Sequence, residues 1–106
     1  MKTILIPVFN DRISSRLDCT KYFLLIKIKN NIIQSTDTIK ILAQNQLELL
    51  NAILSIKPDT IICNGITLFF VNEFLNNNIA LITSVYGSVE ETLKDFLEGK
   101  YLAKTI

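Results

Sequence analysis

The sequence predicts a three-layer α/β/α fold, in which a mixed five-stranded sheet carries helices on both faces. The chain opens with the uninterrupted apolar run TILIPVF at 3–9, which is typical of a central strand buried on both faces. Two β-rich segments follow, and from residue 38 onward the apolar residues recur at helical spacing. Strands and helices then alternate, which requires right-handed crossovers and favours the strand order 3-2-1-4-5, numbered along the chain.

The first part of the chain is predicted to form three antiparallel strands. After the strand at 3–9, the segment YFLLIKIK at 22–29 ends in alternating apolar and charged residues, as in a strand with one end near solvent. Asn30 and Asn31 are predicted to form a two-residue hairpin turn, because asparagine tolerates a positive φ. The segment IIQST at 32–36 then returns as a short edge strand.

The second part is predicted to alternate between helices and strands. In chain order, the predicted elements are a helix at 38–57, a strand at 60–63, a helix at 67–78, a strand at 79–84 and a helix at 88–99. Pro58 ends the first of these helices, because proline cannot continue it. Ser88 and Glu91 have the spacing of a capping box at the start of the last helix, and Gly99 stands where a glycine commonly ends one.

Composition limits the classes of function. The 106 residues suffice for one domain, 1–106, and 49% of them are apolar, as in ordinary globular proteins. The net charge is +1 and the lysines are scattered, which argues against a nucleic-acid partner. No apolar stretch is long enough to span a membrane, and the N-terminus has no export signal. A cytoplasmic protein with reduced cysteines and no membrane partner is therefore expected.

Candidate site residues are concentrated in the polar segment DRISSRLDC at 11–19, which holds both arginines of the chain. In a sheet of the predicted order, ligands bind beyond the carboxyl ends of the strands, where the connections diverge. The loops expected to meet there span 9–20, 63–67 and 84–88. Arg12 and Arg16 would offer permanently charged forks to an anion. Cys19 and Cys63 would offer soft thiolate ligands to a metal.

Backbone groups add to this candidate site. The loops at 63–67 and 84–88 lead into helix N-termini, whose free N–H groups favour anions. Gly65 and Gly87 would let the backbone approach a ligand closely. Together these features predict a basic, amide-rich pocket with one or two sulfur ligands.

Structural alternatives stay open for each of these residues. Arg12 and Arg16 would equally serve to pair with the aspartates of their own loop, Asp11 and Asp18. Cys63 ends an apolar strand, where a free cysteine behaves as a small hydrophobe. Cys19 would equally serve in packing, and the two glycine turns could be ordinary strand-to-helix connections.

Three segments, ILIPVFNDRISSRLDCTKYFLLIKI, DTIICNGI and GSVEETLKDFLEGKYL, resemble in order and spacing a known family. This is the dinitrogenase iron-molybdenum cofactor biosynthesis family, which includes NifX, NafY and the C-terminal part of many NifB proteins. The resemblance implies a ribonuclease H-like fold. It also implies a carrier that binds an iron–sulfur cluster, an iron–molybdenum cofactor or its precursor, and passes it between assembly and acceptor proteins.

Residue by residue, the resemblance covers Ser14 and Asp18 in the first loop and the turn that contains Cys63, Asn64 and Gly65. Arg16 stands where the nitrogenase branch has a histidine, and the chain contains no histidine. Ligation of a cofactor through imidazole is therefore excluded. The sequence is more similar to the small stand-alone members of the family, which have arginine-type loops.

The leading hypothesis is a non-catalytic carrier, with Cys19 and Cys63 as metal ligands. The expected cofactor-binding residues are Arg12, Ser14, Arg16, Asp18, Asn64, Gly65 and Gly87. One alternative is a binder of phosphorylated small molecules or other anions that uses the same loops. Another is an interaction module, in which the edge strand or an exposed helix face pairs with a partner or with a second copy to give a homodimer.

An enzyme is not expected. A nuclease of the ribonuclease H type needs carboxylates to hold metal ions, beginning with one on the first strand, and TILIPVF has none. The chain also lacks a Walker phosphate loop and a dinucleotide-binding fingerprint.

Overall fold

The computed structural model describes residues 1–105 and consists of a mixed sheet, three α-helices and one short 3₁₀ turn, Leu17–Cys19. The strands are β1 (Lys2–Phe9), β2 (Arg12–Ile13), β3 (Tyr22–Lys29), β4 (Ile32–Lys40), β5 (Thr60–Ile62) and β6 (Ala80–Ile82). The helices are α1 (Gln46–Ile56), α2 (Leu68–Asn76) and α3 (Val89–Leu97). None of the helices within 1–105 has the length and apolar character needed to cross a membrane. The predicted mixed α/β class is confirmed.

The sheet runs in the order β4-β3-β1-β5-β6, with β2 attached to β1. Strand β1 is antiparallel to β3 and parallel to β5, and β6 is parallel to β5. It has six strands instead of the expected five, because the chain turns back at Asn10 (φ 58°) and pairs Ile13 with Val8. The ribonuclease H-like classification stays a prediction.

The apolar run of β1 is buried on both faces of the sheet, which divides the core in two. Leu5 belongs to a cluster that packs under α1 and α2, whereas Ile4 and Ile6 belong to a second cluster under α3. The prediction of helices on both faces is therefore confirmed. Removing this apolar surface from water is the main favourable contribution to folding.

Three local signals in the sequence are confirmed by the structure. Asn30 and Asn31 both adopt positive φ, 53° and 62°, which is the conformation that a tight hairpin turn requires. At the start of α3, the Ser88 hydroxyl accepts a hydrogen bond from the Glu91 amide at 3.1 Å. At its end, Gly99 has a φ of +73° and donates its amide to the Phe96 carbonyl, as in a helix closed by glycine.

For the helix predicted at 38–57, the start is wrong and the end is correct to within one residue, and the predicted end of the edge strand at 36 is also wrong. Strand β4 continues to Lys40, and α1 begins only at Gln46. The strand extends because Thr36, Thr38 and Ile39 are β-branched and pair with the central part of β3. The intervening residues 41–45 form an irregular connection. The other elements end within two residues of their predicted limits.

The two edges of the sheet differ. At the β6 edge, Lys104 exchanges two backbone hydrogen bonds with Leu81, at 2.9 and 2.7 Å. At the other edge, β4 is exposed along most of its length, with Ile32 63% exposed. The strand carries the charged residue Asp37, and its pairing with β3 has a register irregularity between Lys27 and Ile28. Both features discourage pairing between edges. Association through β4 stays a prediction.

Candidate functional site

Three loops meet beyond the carboxyl ends of the parallel strands. The Leu17 amide donates to the Gly65 carbonyl, and the Gly65 amide donates to the Ser15 carbonyl, both at 2.9 Å. The Ile13 amide donates to the Gly87 carbonyl, also at 2.9 Å. The loop after β1 is thus joined by backbone hydrogen bonds to both other loops. The predicted convergence is confirmed, whereas ligand binding by these loops stays a prediction.

Gly65 makes room for the loop of its own chain. A Cβ atom at this position would lie 2.7 Å from the Ser15 carbonyl oxygen and 3.3 Å from Arg16 Cγ. The space that the sequence suggested for a ligand is therefore filled by residues 15 and 16. The neighbouring Asn64 carbonyl accepts from the Ser84 amide at 3.1 Å. A Cβ atom at Gly87 would meet nothing within 4 Å, but the φ of this residue, +101°, lies in the region that favours glycine.

The two arginines of the loop differ in their partners. Arg16 forms a two-pronged pair with Asp18, through Nε to Oδ1 at 3.1 Å and Nη2 to Oδ2 at 2.8 Å. These hydrogen bonds and the charge of Asp18 raise the pKa of Arg16, with a smaller contribution from Cys19 nearby. Arg12 is exposed on β2 and forms no ion pair within residues 1–105. The structural alternative is therefore confirmed for Arg16 and Asp18 alone.

Ser14 lies inside the loop. It is 9% exposed, its amide donates to the Pro7 carbonyl at 2.9 Å, and its hydroxyl donates to the Arg16 carbonyl at 3.2 Å. The Ser14 side chain thus fixes the backbone on which Arg16 and Asp18 stand.

The two cysteines lie in opposite environments. Cys63 has no exposed surface, packs in the cluster under α1 and α2, and burial raises its pKa to about 12. Its thiol is therefore neutral near pH 7, and it acts as a small hydrophobe. Cys19 is exposed at the end of the 3₁₀ turn. Within residues 1–105, no three cysteine or carboxylate side chains are grouped to hold a metal ion. These residues do not fit a cluster ligated by both cysteines.

An open cavity of about 520 Å³ lies beside Cys19. One wall is formed by Asp18, Cys19, Thr20 and Lys21, and the other by residues 41–46 and Leu49. Its position follows from the sheet, because β3 begins and β4 ends next to the carboxyl end of β1. The cavity therefore lies at the predicted end of the sheet. Of the predicted site residues, only Asp18 and Cys19 line it.

The second wall was missed because residues 41–45 were assigned to a helix. The signal that would have found it is the pair Asn45 and Glu48. The Asn45 side chain accepts from the Glu48 amide at 2.9 Å, and the Glu48 carboxylate accepts from the Gln44 amide at 2.8 Å. This arrangement is similar to a capping box, except that Glu48 accepts from the residue before the N-cap Asn45, and it marks the beginning of a helix.

The three helix N-termini, of which those of α2 and α3 were predicted to favour anions, differ in the charges and capping hydrogen bonds of their first turns. The first turn of α3 carries Glu90 and Glu91, whose charges already interact with the helix dipole and would repel an anion. At α1, the Asn45 side chain already engages the Glu48 amide, and the carboxylate of Glu48 lies in the first turn. The first turn of α2 has no acidic residue, and the Thr67 side chain makes no capping hydrogen bond.

No protein-family model matches the chain, and no curated protein matches it in sequence. Solved structures match it over nearly the whole length. The crystal structure of PH0822 has a TM-score of 0.87 at 21% identity, covering 96% of this chain and 94% of that one. A Methanocaldococcus jannaschii protein, for which a dinitrogenase identity has been suggested, has a TM-score of 0.80 at 24% identity, with 96% and 93% covered.

A third solved structure is that of a Thermotoga protein provisionally described as a NifB protein of the DUF35 family. It has a TM-score of 0.77 at 14% identity, covering 100% of this chain and 96% of that one. At such identities the similarity establishes a shared fold. The chain thus has the fold of proteins to which nitrogenase-related names have been given.

Proposed function

We propose that this protein is a non-catalytic carrier of an iron–sulfur cluster or related metallocofactor, or of its precursor, and that it receives this cargo in the cavity beside Cys19. The observation that carries the proposal is the exposed thiol of Cys19 in the wall of an open cavity. The nitrogenase-related names of two proteins with this fold support the choice of cargo.

The size of the cavity supports a small ligand. Its volume of about 520 Å³ falls within the range of about 300–1,000 Å³ that is usual for ligand sites. Its walls combine apolar groups, such as Ile41 and Leu49, with the polar side chains of Thr20 and Gln44. Such a mixture suits a compact cargo that has both sulfide and charged surfaces.

The small number of protein ligands supports reversible binding of the cargo. Cys19 supplies one thiolate, whereas common iron–sulfur clusters take about four. The other ligands would come from exogenous thiols or from the donor and acceptor proteins. A cargo held by one thiolate and by electrostatic attraction is easily released, which is what a carrier requires. Lys21 in the cavity wall would attract the negative charge of such a cargo.

Anaerobic reconstitution with iron and sulfide tests the proposal. Iron, sulfide and the visible spectrum are measured for the wild type, Cys19→Ser and Cys63→Ala, with Cys63→Ala as the matched control because it removes the buried thiol. We expect the wild type and Cys63→Ala to hold cluster, and Cys19→Ser to lose it. Equal loading of Cys19→Ser and the wild type would contradict the site. Absence of cluster from the wild type would contradict the cargo.

The alternative of a phosphorylated small molecule or another anion needs no thiol. A phosphate-bearing ligand that binds wild type and Cys19→Ser equally, with no cluster in either, would replace the carrier hypothesis.

A further inference from the structure

We propose that Asp18 is an internal competitor for the anionic cargo, and that it determines which anions can bind by occupying the Arg16 guanidinium until a multivalent anion displaces it. This inference rests on the proposed function, since it concerns the same cavity. It assigns Asp18 a role in selecting and releasing the ligand, beyond stabilising the loop.

The geometry of the pair carries the inference. Asp18 lines the cavity, and both of its carboxylate oxygens face the Arg16 guanidinium, at 3.1 and 2.8 Å. The side chains are 56% exposed for Arg16 and 23% for Asp18. The pair is therefore formed at the surface, with Asp18 in the cavity wall and Arg16 next to it outside the lining, where solvent and ligands can reach both side chains. A planar guanidinium binds carboxylates and other oxyanions in the same two-pronged way.

The charges at the cavity explain the selectivity. Lys21 lines the cavity and forms no ion pair within residues 1–105, so it is available to an anion from the start. Asp18 occupies Nε and Nη2 of Arg16, so the two-pronged edge of the guanidinium becomes available only when Asp18 is displaced. A monovalent anion would replace the Asp18 carboxylate on Arg16 by a group of equal charge and would gain little. An anion with two or more charges can engage Lys21 and Arg16 together, and therefore overcomes the competition.

The backbone allows this exchange without unfolding. Asp18 lies in the short 3₁₀ turn Leu17–Cys19, and the loop around it is fixed by backbone hydrogen bonds from Ser14 and Leu17. The side chain of Arg16 can thus change partner while its backbone stays paired with Gly65. A surface ion pair is weak enough for such a change, because solvent and salt screen the attraction between its charges.

The test uses inorganic phosphate as the probe and the reduced protein without cluster. Affinity is measured by NMR titration of the wild type, Asp18→Asn and Asp18→Asn/Arg16→Gln, and the Arg16 Nε–H signal is followed directly. We expect Asp18→Asn to bind phosphate about twofold to fivefold more tightly, and the double variant to lose that gain. The control is Asp95→Asn, which removes a carboxylate paired with Lys100 at 3.3 Å on α3, and which should bind as the wild type does.

Unchanged or weaker binding by Asp18→Asn would overturn the inference, as would a gain that persists without Arg16. The wild type gives a second reading that does not depend on a variant: phosphate should shift the Arg16 Nε–H signal as Asp18 is displaced. An unmoved Arg16 signal at saturation would overturn the inference. Because phosphate binding requires neither Cys19 nor iron, failure of this test is distinguishable from failure of the carrier hypothesis.

Discussion

Gly65 and Ser15 are joined so closely that no side chain fits between them. The Gly65 amide donates to the Ser15 carbonyl at 2.9 Å, and a Cβ on Gly65 would lie 2.7 Å from the same oxygen. This contact attaches the loop after β1 to the connection that follows β5. The positions of Arg16, Asp18 and Cys19, and hence the first wall of the cavity, depend on it.

We expect Gly65→Ala to destabilise the protein by about 2–3 kcal/mol, because the added methyl group would meet backbone that cannot move without breaking hydrogen bonds. Urea unfolding measures the change in free energy. Gly99→Ala is the comparison: its methyl group would meet nothing within 4 Å, so it should cost only about 1 kcal/mol for the positive φ. An unfolding midpoint of Gly65→Ala at or above that of Gly99→Ala would contradict the assigned contact.

The two thiols should react at very different rates. Cys19 is exposed and Cys63 is buried, and a thiol reagent reaches a buried group only when the protein opens. We expect one thiol equivalent to react rapidly with a chromogenic disulfide in the native protein, and two in denaturant. Cys19→Ser should abolish the rapid phase and Cys63→Ala should leave it unchanged. Two rapid equivalents in the native wild type would show that Cys63 is accessible.

Burial of Cys63 predicts a loss of stability in alkaline solution. Its pKa rises from 9.0 to about 12 in the folded protein, so the thiol keeps its proton in the fold and ionises near pH 9 in the unfolded chain. The resulting stabilisation is fully present below pH 9.0 and is lost as the pH rises toward about 12. One pH unit above 9.0, the loss should reach about 1 kcal/mol.

The measurement compares the wild type with Cys63→Ala by urea unfolding below and above pH 9.0. The variant is less stable at neutral pH because of the cavity that it creates, so the change with pH is compared and not the absolute value. The free energy of unfolding of the wild type should fall more steeply. Parallel curves would mean that the Cys63 thiol is not protected by folding.

Asn45→Ala should destabilise the protein by about 1 kcal/mol, because the Asn45 side chain caps α1. The matched control is Asn51→Ala at an exposed position inside the same helix, where alanine is favourable. Urea unfolding checks both variants. Equal stability of the two would contradict the assigned start of α1, and with it the cavity wall formed by residues 41–45.

The sequence predicted the elements that have strong local signals. The apolar run of β1, the Asn30–Asn31 turn and the caps of α3 each depend on a few neighbouring residues, so they could be read without knowledge of the tertiary structure. The irregular segment before α1 could not be read in this way. The apolar residues of this segment have a spacing that is compatible with a helix. Strand β4 extends to Lys40 because it pairs with β3, and this pairing depends on the tertiary structure.

The candidate site was predictable in position and less so in composition. Topology placed three loops at one end of the sheet, and they do meet there. Which residues would be taken up by contacts within the chain could not be read from the sequence. The covering of Gly65 by Ser15, the pairing of Arg16 with Asp18 and the complete burial of Cys63 all depend on distances between segments. The cavity depends further on residues 41–46, whose structure was incorrectly predicted.

The most direct test of the carrier hypothesis is hydrogen–deuterium exchange under anaerobic conditions, with and without reconstituted cluster. If the cargo occupies the cavity beside Cys19, the amides at 18–21 and 41–46 should exchange more slowly in the loaded protein, and those at 84–88 should not change. The same comparison in Cys19→Ser should show no protection. Protection confined to 84–88, or protection of the cavity walls that persists in Cys19→Ser, would contradict the account.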